Sequence, residues 1–216
     1  MTKRLLPIAL LPVALLLGGC IACSAAAAST AIAEESATRA RLEAGEVVAR
    51  ETRGDPQGGS ARMQMLVHAP AQAVWAVIVS CELAFRFVDG LQRCEVLEDS
   101  GERALVHQVL DRGWLTPRLD FVFESLRRPW EQIDFRLVEG NLKALEGSWR
   151  FEETAAGTLV DHEIRLRPQA PVPAFLVRRD IGRTMPDLLA CVRGLAEGNG
   201  GGKRQQQDLG RCAGSE

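Results

Sequence analysis

The sequence predicts an α+β fold: a curved antiparallel sheet of about six or seven strands wrapped around a long C-terminal helix, with two short helices after the first strand. Three observations predict it. Strand-like alternating segments, parted by short Gly-, Pro- and Asp-containing turns, follow one another from Arg93 to Arg167. Apolar residues at helical spacing then run from Ala174 to Ala196. Between the first strand signals and the meander, Ala71–Val88 reads as two short helices.

Taken in order, Val47–Thr52 alternates and reads as a strand, and Gly54-Asp55-Pro56-Gln57-Gly58-Gly59 as a turn. Ala61–His68 alternates again, with Met63 and Met65 on one face and Gln64 on the other. Pro70 stands where a helix tolerates proline, in the first turn, ahead of Val74, Trp75, Ile78 and Val79 at helical spacing. A second helix, about Glu82–Val88, is expected to stop at Gly90. The later strands are Arg93–Leu97, Arg103–Leu110, Arg118–Leu126, Gln132–Val138, Leu142–Glu152 and Thr158–Arg167. Their short connections imply antiparallel neighbours. Pro168, Pro171 and Pro173 break the chain before the last helix, and Pro186 is expected to kink or divide that helix. An antiparallel sheet with one amphipathic helix must lay the helix on its concave face to bury both apolar surfaces.

The N-terminus reads as an export signal. Lys3 and Arg4 precede an apolar run, Leu5–Leu17, that is interrupted by Pro7 and Pro12 and is shorter than the roughly 20 residues a membrane span needs. Leu17-Gly18-Gly19-Cys20 looks like a bacterial lipobox, with Cys20 as the lipidated residue. Ala31-Ile32-Ala33 before Glu34-Glu35 looks like an ordinary peptidase site. Both cuts stay open at this point. The expected organisation is a signal over residues 1–33 (1–19 for a lipoprotein), a linker over 34–44, one domain over 45–197 and a flexible tail over 198–216. The localisation expected is the bacterial periplasm or beyond it, or a membrane anchor at Cys20.

The formal net charge of −2 becomes about −4 once Lys3 and Arg4 leave with the signal, which speaks against a nucleic-acid surface. Cys81, Cys94, Cys191 and Cys212 remain after the Ala33 cut, an even set that suggests two disulfides in an oxidising compartment. Three pairings are possible. The one that closes the smallest loops is Cys81–Cys94 with Cys191–Cys212. His68, His107 and His162 are scattered without ligand spacing, so no metal site and no cofactor are expected.

Alternation sorts the candidate lining residues by face. In Arg103–Leu110, His107 lies with Leu105 and Val109; in Arg118–Leu126, Phe121 and Phe123 point together. Leu145, Gly147, Trp149 and Phe151 form one face of the segment Leu142–Glu152, and His162 lies with Val160, Ile164 and Leu166 in the one after it. Each histidine reads first as a hydrogen-bonded sheet residue and second as a polar group offered to a ligand. Arg178, Arg179 and Arg183, with Asp180 and Asp187 nearby, form a charged stretch early in the last helix. It serves as an ion-laced solvent face or as a contact with lipid phosphates.

Several of these segments are familiar in combination. His68-Ala69-Pro70-Ala71-Gln72-Ala73-Val74-Trp75 resembles the opening of the START-like, helix-grip (SRPBCC) superfamily. Gly147-Ser148-Trp149-Arg150-Phe151, followed by Gly157-Thr158-Leu159-Val160, resembles its later strand pair, and Pro171–Phe175 its entry into the last helix. The nearest branch is the coenzyme Q-binding and polyketide cyclase/dehydrase group, and the resemblance covers about Gly45–Leu195. It implies a helix-grip fold with a cavity between sheet and last helix. The lining set it suggests is His107, Phe121, Phe123, Leu145, Trp149, Phe151, His162, Ile164, Met185 and Leu189. It also implies a hydrophobic partner: a lipid, a quinone or a polyketide-like molecule, with a membrane surface as a further contact. Three functions follow as expectations. The first is an exported carrier without catalytic residues. The second is a cyclase- or dehydratase-type enzyme using the same cavity. The third is an envelope interaction protein whose cavity has closed.

Overall fold

The computed structural model describes residues 33–55, 58–113, 116–169 and 173–198. The export segment up to residue 32 with Cys20, and the tail beyond Gly198 with Cys212, lie outside the described residues. The chain divides into two compact units, residues 1–39 and 40–216. Residues 33–43 are a helix, α1. The same Ala-rich, polar stretch was expected as a linker; Ala, Glu and Arg are also the better helix formers.

Among its described residues the second unit holds one eight-stranded antiparallel sheet and, after α1, three further helices. The strands are β1 (Val48–Asp55), β2 (Gly58–Val67), β3 (Leu91–Asp99), β4 (Arg103–Leu110), β5 (Leu119–Arg128), β6 (Gln132–Gly140), β7 (Leu142–Thr154) and β8 (Gly157–Pro168). Their spatial order is β1-β2-β8-β7-β6-β5-β4-β3. The sheet therefore has more strands than the six or seven expected. The short helices α2 (Ala71–Ile78) and α3 (Cys81–Phe87) follow the second strand, not the first. The reason is that β1 and β2 pair as a hairpin, so both strand signals before Pro70 belong to the sheet.

Local chemistry accounts for the helices. Pro70 is the N-cap of α2, whose Val74 and Val77 are fully buried. The hydroxyl of Ser80 caps α3 by accepting from the Leu83 N–H at 3.1 Å. The last helix, α4, is continuous over Ala174–Gly198 with Pro186 inside it. Pro186 lacks the N–H that would bond four residues back, but it does not divide the helix. The inner face of α4 places Met185, Leu189, Val192, Leu195 and Ala196 in the core.

α4 rests chiefly on β1, β2, α2 and α3. It comes so close to β2 that a Cβ on Gly59 would lie 2.6 Å from Val177 Cγ1 and 2.6 Å from Ile181 Cδ1. This contact fixes the concave side of the sheet. Through the β2–β8 register, Gly59, Ala61, Met63 and Met65 face α4 beside Leu166, Ile164, His162 and Val160. The outer side carries crossed ion pairs instead. Glu124 accepts from Arg103 and Arg136, each at 2.6 Å, and hydrogen bonds from the two guanidiniums hold its carboxyl below the usual carboxylate range.

The motifs at residues 69–70 and 157–158 meet in space. The Thr158 hydroxyl donates to the Ala69 carbonyl at 2.7 Å in a fully buried position. Gly157, at φ 130°, leaves no room for a Cβ, which would sit 2.1 Å from the Val67 carbonyl oxygen. These motif residues therefore join the start of β8 to the exit of β2.

Cys81 and Cys94 form a disulfide that ties the first residue of α3 to β3. Cys191 is buried and disulfide-bonded; its expected partner, Cys212, lies outside the described residues. The Cys81–Cys94 link spans a sequence separation of 13, and closing such a loop stabilises by about 3 kcal/mol on the chain-entropy treatment. The double variant Cys81→Ala/Cys94→Ala is expected to lose about that much in a guanidinium titration. An unchanged midpoint would mean that α3 and β3 stay docked without the link. Among the described residues no helix is long and apolar enough to cross a membrane.

Candidate functional site

The concave face of the central strands carries a row of rings. Phe121 and Phe123 on β5 lie 6.2 Å apart, centroid to centroid. Phe123 meets Phe135 of β6 edge-on at 6.2 Å. Phe135 lies 6.2 Å from the imidazole of His162 on β8, and His162 stacks on Trp149 of β7 at 3.7 Å. At the α2 end, Trp75 meets Phe151 edge-on at 5.8 Å. The row exists because side chains alternate along each strand while the registers stay aligned: Phe123 pairs with Leu137, Phe135 with Gly147, Ile133 with Trp149, and Trp149 with His162.

Gly147 is what lets the row pass from β6 to β8. A Cβ there would lie 2.5 Å from Phe135 Cζ and 2.1 Å from the Glu163 carbonyl oxygen. The missing side chain is the space in which the Phe135 ring lies.

Burial along the row is uneven. Phe121, Leu145, Trp149, Phe151, Met185 and Leu189 are buried in the main core. Phe123, Phe135, Leu137 and Ile164 are only half-buried against it. α4 covers the β1–β2 end, so the concave face of β5 and β6 is the part left partly open.

Nine of the ten cavity residues expected from sequence thus lie on the concave side or on the face of α4 turned towards it. His107 is the correction. It pairs with Val122, between the Gln108–Phe121 and Val106–Phe123 pairs, and so points to the outer face. There its Nε2 lies 2.8 Å from Asp120 Oδ1. The sequence put two mixed faces on β4 and could not rank them; only the pairing with β5 does. Phe135 and Leu137 were missed as lining residues. The available signal was the alternation Ile133, Phe135, Leu137.

Polar groups on this face include Gln108 opposite Phe121, Ser125 opposite Phe135 and Arg127 opposite Ile133, besides His162. His162 is 3% exposed, and burial pushes its pKa down to about 4, against the opposing effects of the Ser148 backbone hydrogen bond and the Asp161 charge. The ring is therefore neutral at pH 7. Its Nδ1 donates to the Ser148 carbonyl at 3.1 Å. Asp161 itself sits on the outer face, bound by Arg62 at 2.9 Å and Gln64 at 2.8 Å. No hydrogen bond joins a carboxylate to His162 among the described residues. Nor is any group of three or more His, Cys, Asp or Glu there placed to hold a metal ion. Two surface pockets, of about 410 and 510 Å³, open on the outer side. The first is lined by Arg62, Arg150 and Asp161 among others, the second by Glu51, Arg165 and Arg167 among others. Such charged walls suit water and ions, not a lipid.

This arrangement has counterparts. A STAR-related lipid transfer protein from Xanthomonas axonopodis superposes with a TM-score of 0.57 at 16% identity, covering 69% of this chain and 92% of that one. The Zhui aromatase/cyclase from Streptomyces sp. R1128 superposes with a TM-score of 0.52 at 20% identity, covering 64% and 93%. The protein TTHA0849 from Thermus thermophilus gives 0.52 at 18% identity, covering 64% and 94%. At these identities the likeness is one of fold. Among curated proteins, none matches the chain. The sequence profile described as polyketide cyclase / dehydrase and lipid transport matches residues 67–193, from the end of β2 to the last turns of α4. With its helix-grip sheet and covering helix, the chain belongs to that START-like family.

Proposed function

We propose that this protein is an exported carrier that binds a hydrophobic small molecule, a lipid, quinone or polyketide-like compound, between the concave face of the sheet and α4. The observation that carries the reading is the continuous ring row from Phe121 to Trp149, with Phe123 and Phe135 half-buried where α4 does not cover them. Such a surface binds apolar and unsaturated molecules by area and stacking. The family description spans cyclases and lipid transport. Carriage is favoured because acid–base chemistry needs a proton donor and acceptor within reach of each other, and among the described residues no carboxylate is hydrogen-bonded to His162.

Export rests on the N-terminal signal in the sequence. A membrane contact is the second part of the proposal. Phe175 is 63% exposed and Leu176 is exposed beside it, on the same stretch of α4 as the exposed Arg178, Arg179 and Arg183. Apolar side chains among arginines suit the interface of an anionic bilayer, at about 1 kcal/mol per basic residue.

The test is to purify the protein from its native envelope, extract it and identify the extract by mass spectrometry. A stoichiometric lipid or quinone is expected. Repeated recovery of empty protein would overturn carriage. The mass of the mature N-terminus in the same sample separates a lipidated Cys20 from cleavage after Ala33, and an uncut chain in the cytoplasm would remove export from the proposal.

A further inference from the structure

His162 lies within the ring row, and its two nitrogens have different surroundings. Nδ1 faces the Ser148 carbonyl at 3.1 Å. A carbonyl only accepts, so Nδ1 carries the hydrogen. The neutral ring that burial imposes then leaves Nε2 without a proton. Among the described residues Nε2 has no hydrogen-bond partner. Yet among those same residues no buried side-chain nitrogen or oxygen lacks a partner. Nε2 therefore keeps a little accessible surface, although the residue as a whole is only 3% exposed.

The surroundings limit what fills that space. Trp149 covers the imidazole at 3.7 Å and Phe135 lies 6.2 Å away. Met63 is its register partner on β2, on the side facing α4. A flat ring stacks against such neighbours with little loss of side-chain freedom, whereas a saturated chain gains only area. A bare imidazole nitrogen accepts a hydrogen bond and donates none. It pairs with a hydroxyl and leaves a carbonyl, ether or carboxylate without a partner.

We infer that His162 Nε2 is a ligand-recognition site, and that the ligand is a planar unsaturated molecule bearing a hydroxyl, a phenol or hydroquinone, whose O–H donates to it. The inference rests on the binding reading above and specifies the ligand's chemistry. Applied to quinones, it makes the site selective for the reduced form: a hydroquinone donates to Nε2, while the oxidised quinone offers only acceptors.

The test uses two probes of one shape, 2-naphthol and 2-methoxynaphthalene, titrated at pH 7 into the full chain by fluorescence. The ether is the more hydrophobic probe, so burial alone favours it. Wild type is expected to bind 2-naphthol about tenfold more tightly, the worth of one hydrogen bond of about 1.4 kcal/mol. His162→Phe is expected to remove that preference while keeping affinity for the ether. Equal affinities in wild type, or a preference that survives in His162→Phe, would overturn the inference and leave the binding reading standing. Binding of neither probe by wild type would overturn the inference too, while the binding reading is decided by the native extract. Should His162→Phe not fold, nitrogen NMR of the wild-type imidazole supplies the second measurement. Nε2 should shift with 2-naphthol and stay put with the ether, and an identical response to both counts against the site.

Discussion

Trp149→Ala is expected to destabilise the protein by about 3–5 kcal/mol, the usual cost of deleting a large buried aromatic side chain. The indole is 7% exposed, stacks on His162 at 3.7 Å and sits opposite Ile133 and His162 in register. Its removal opens a hole in the middle of the ring row and bares one face of a buried imidazole. Urea or guanidinium titration measures the loss. Phe175→Ala is the control: that ring is 63% exposed, and its removal should change stability by no more than about 0.5 kcal/mol. A loss below about 1 kcal/mol for Trp149→Ala would mean that the row is not a packed part of the structure.

Acid is the second perturbation with a large expected effect, and it acts through His162. In the folded protein burial lowers the pKa to about 4, from an ordinary value of 6.5. Between these values the unfolded chain binds a proton that the folded protein does not, so stability falls as pH falls. The contribution is fully present above pH 6.5 and is lost progressively down to about pH 4, at about 1.4 kcal/mol per pH unit. Over that window the loss comes to about 3 kcal/mol. The carboxyls of Asp99 and Glu124, lowered by a Gly101 backbone hydrogen bond and by Arg103 respectively, also lose stabilisation in acid. They do so in any variant that keeps them. The measurement is therefore a difference: wild type against His162→Phe, each unfolded in denaturant at pH 7.5 and pH 4.5. Wild type should lose about 2–3 kcal/mol more than the variant. Parallel losses would mean that His162 is hydrated and titrates normally in the folded protein.

Much of this was legible in the chain because it depends on local patterns. Alternation located the strand segments, and the short Gly and Pro turns between them required antiparallel neighbours. Pro70 and Gly90 bracketed the helical pair, and helical spacing after Pro173 gave α4. Phe121 and Phe123 could be assigned to one face because residues two apart on a strand share a face. The short spacing of Cys81 and Cys94 pointed to the pair that forms. Pro186 shows where local rules were too strict: the apolar seam of Met185, Leu189 and Val192 holds the helix together across the missing hydrogen bond.

What alternation cannot supply is which face turns inward, and that decided the site. On β4 both faces are mixed, so His107 read as well as Val106 for the concave side; pairing with β5 sent it outward to Asp120. Gly147 gave no hint of its partner until β6 brought Phe135 across it. The two nitrogens of His162 are equivalent in a sequence and distinct only once Ser148 binds one and burial keeps the proton off the other. By itself the sequence determined the strand segments, the helices after Pro70 and Pro173 and the apolar character of the strand faces, since each follows from neighbours along the chain. The joining of all eight strands into one sheet, the ring row and the polarity of its single histidine came only with tertiary structure, because they depend on contacts between residues far apart in the chain.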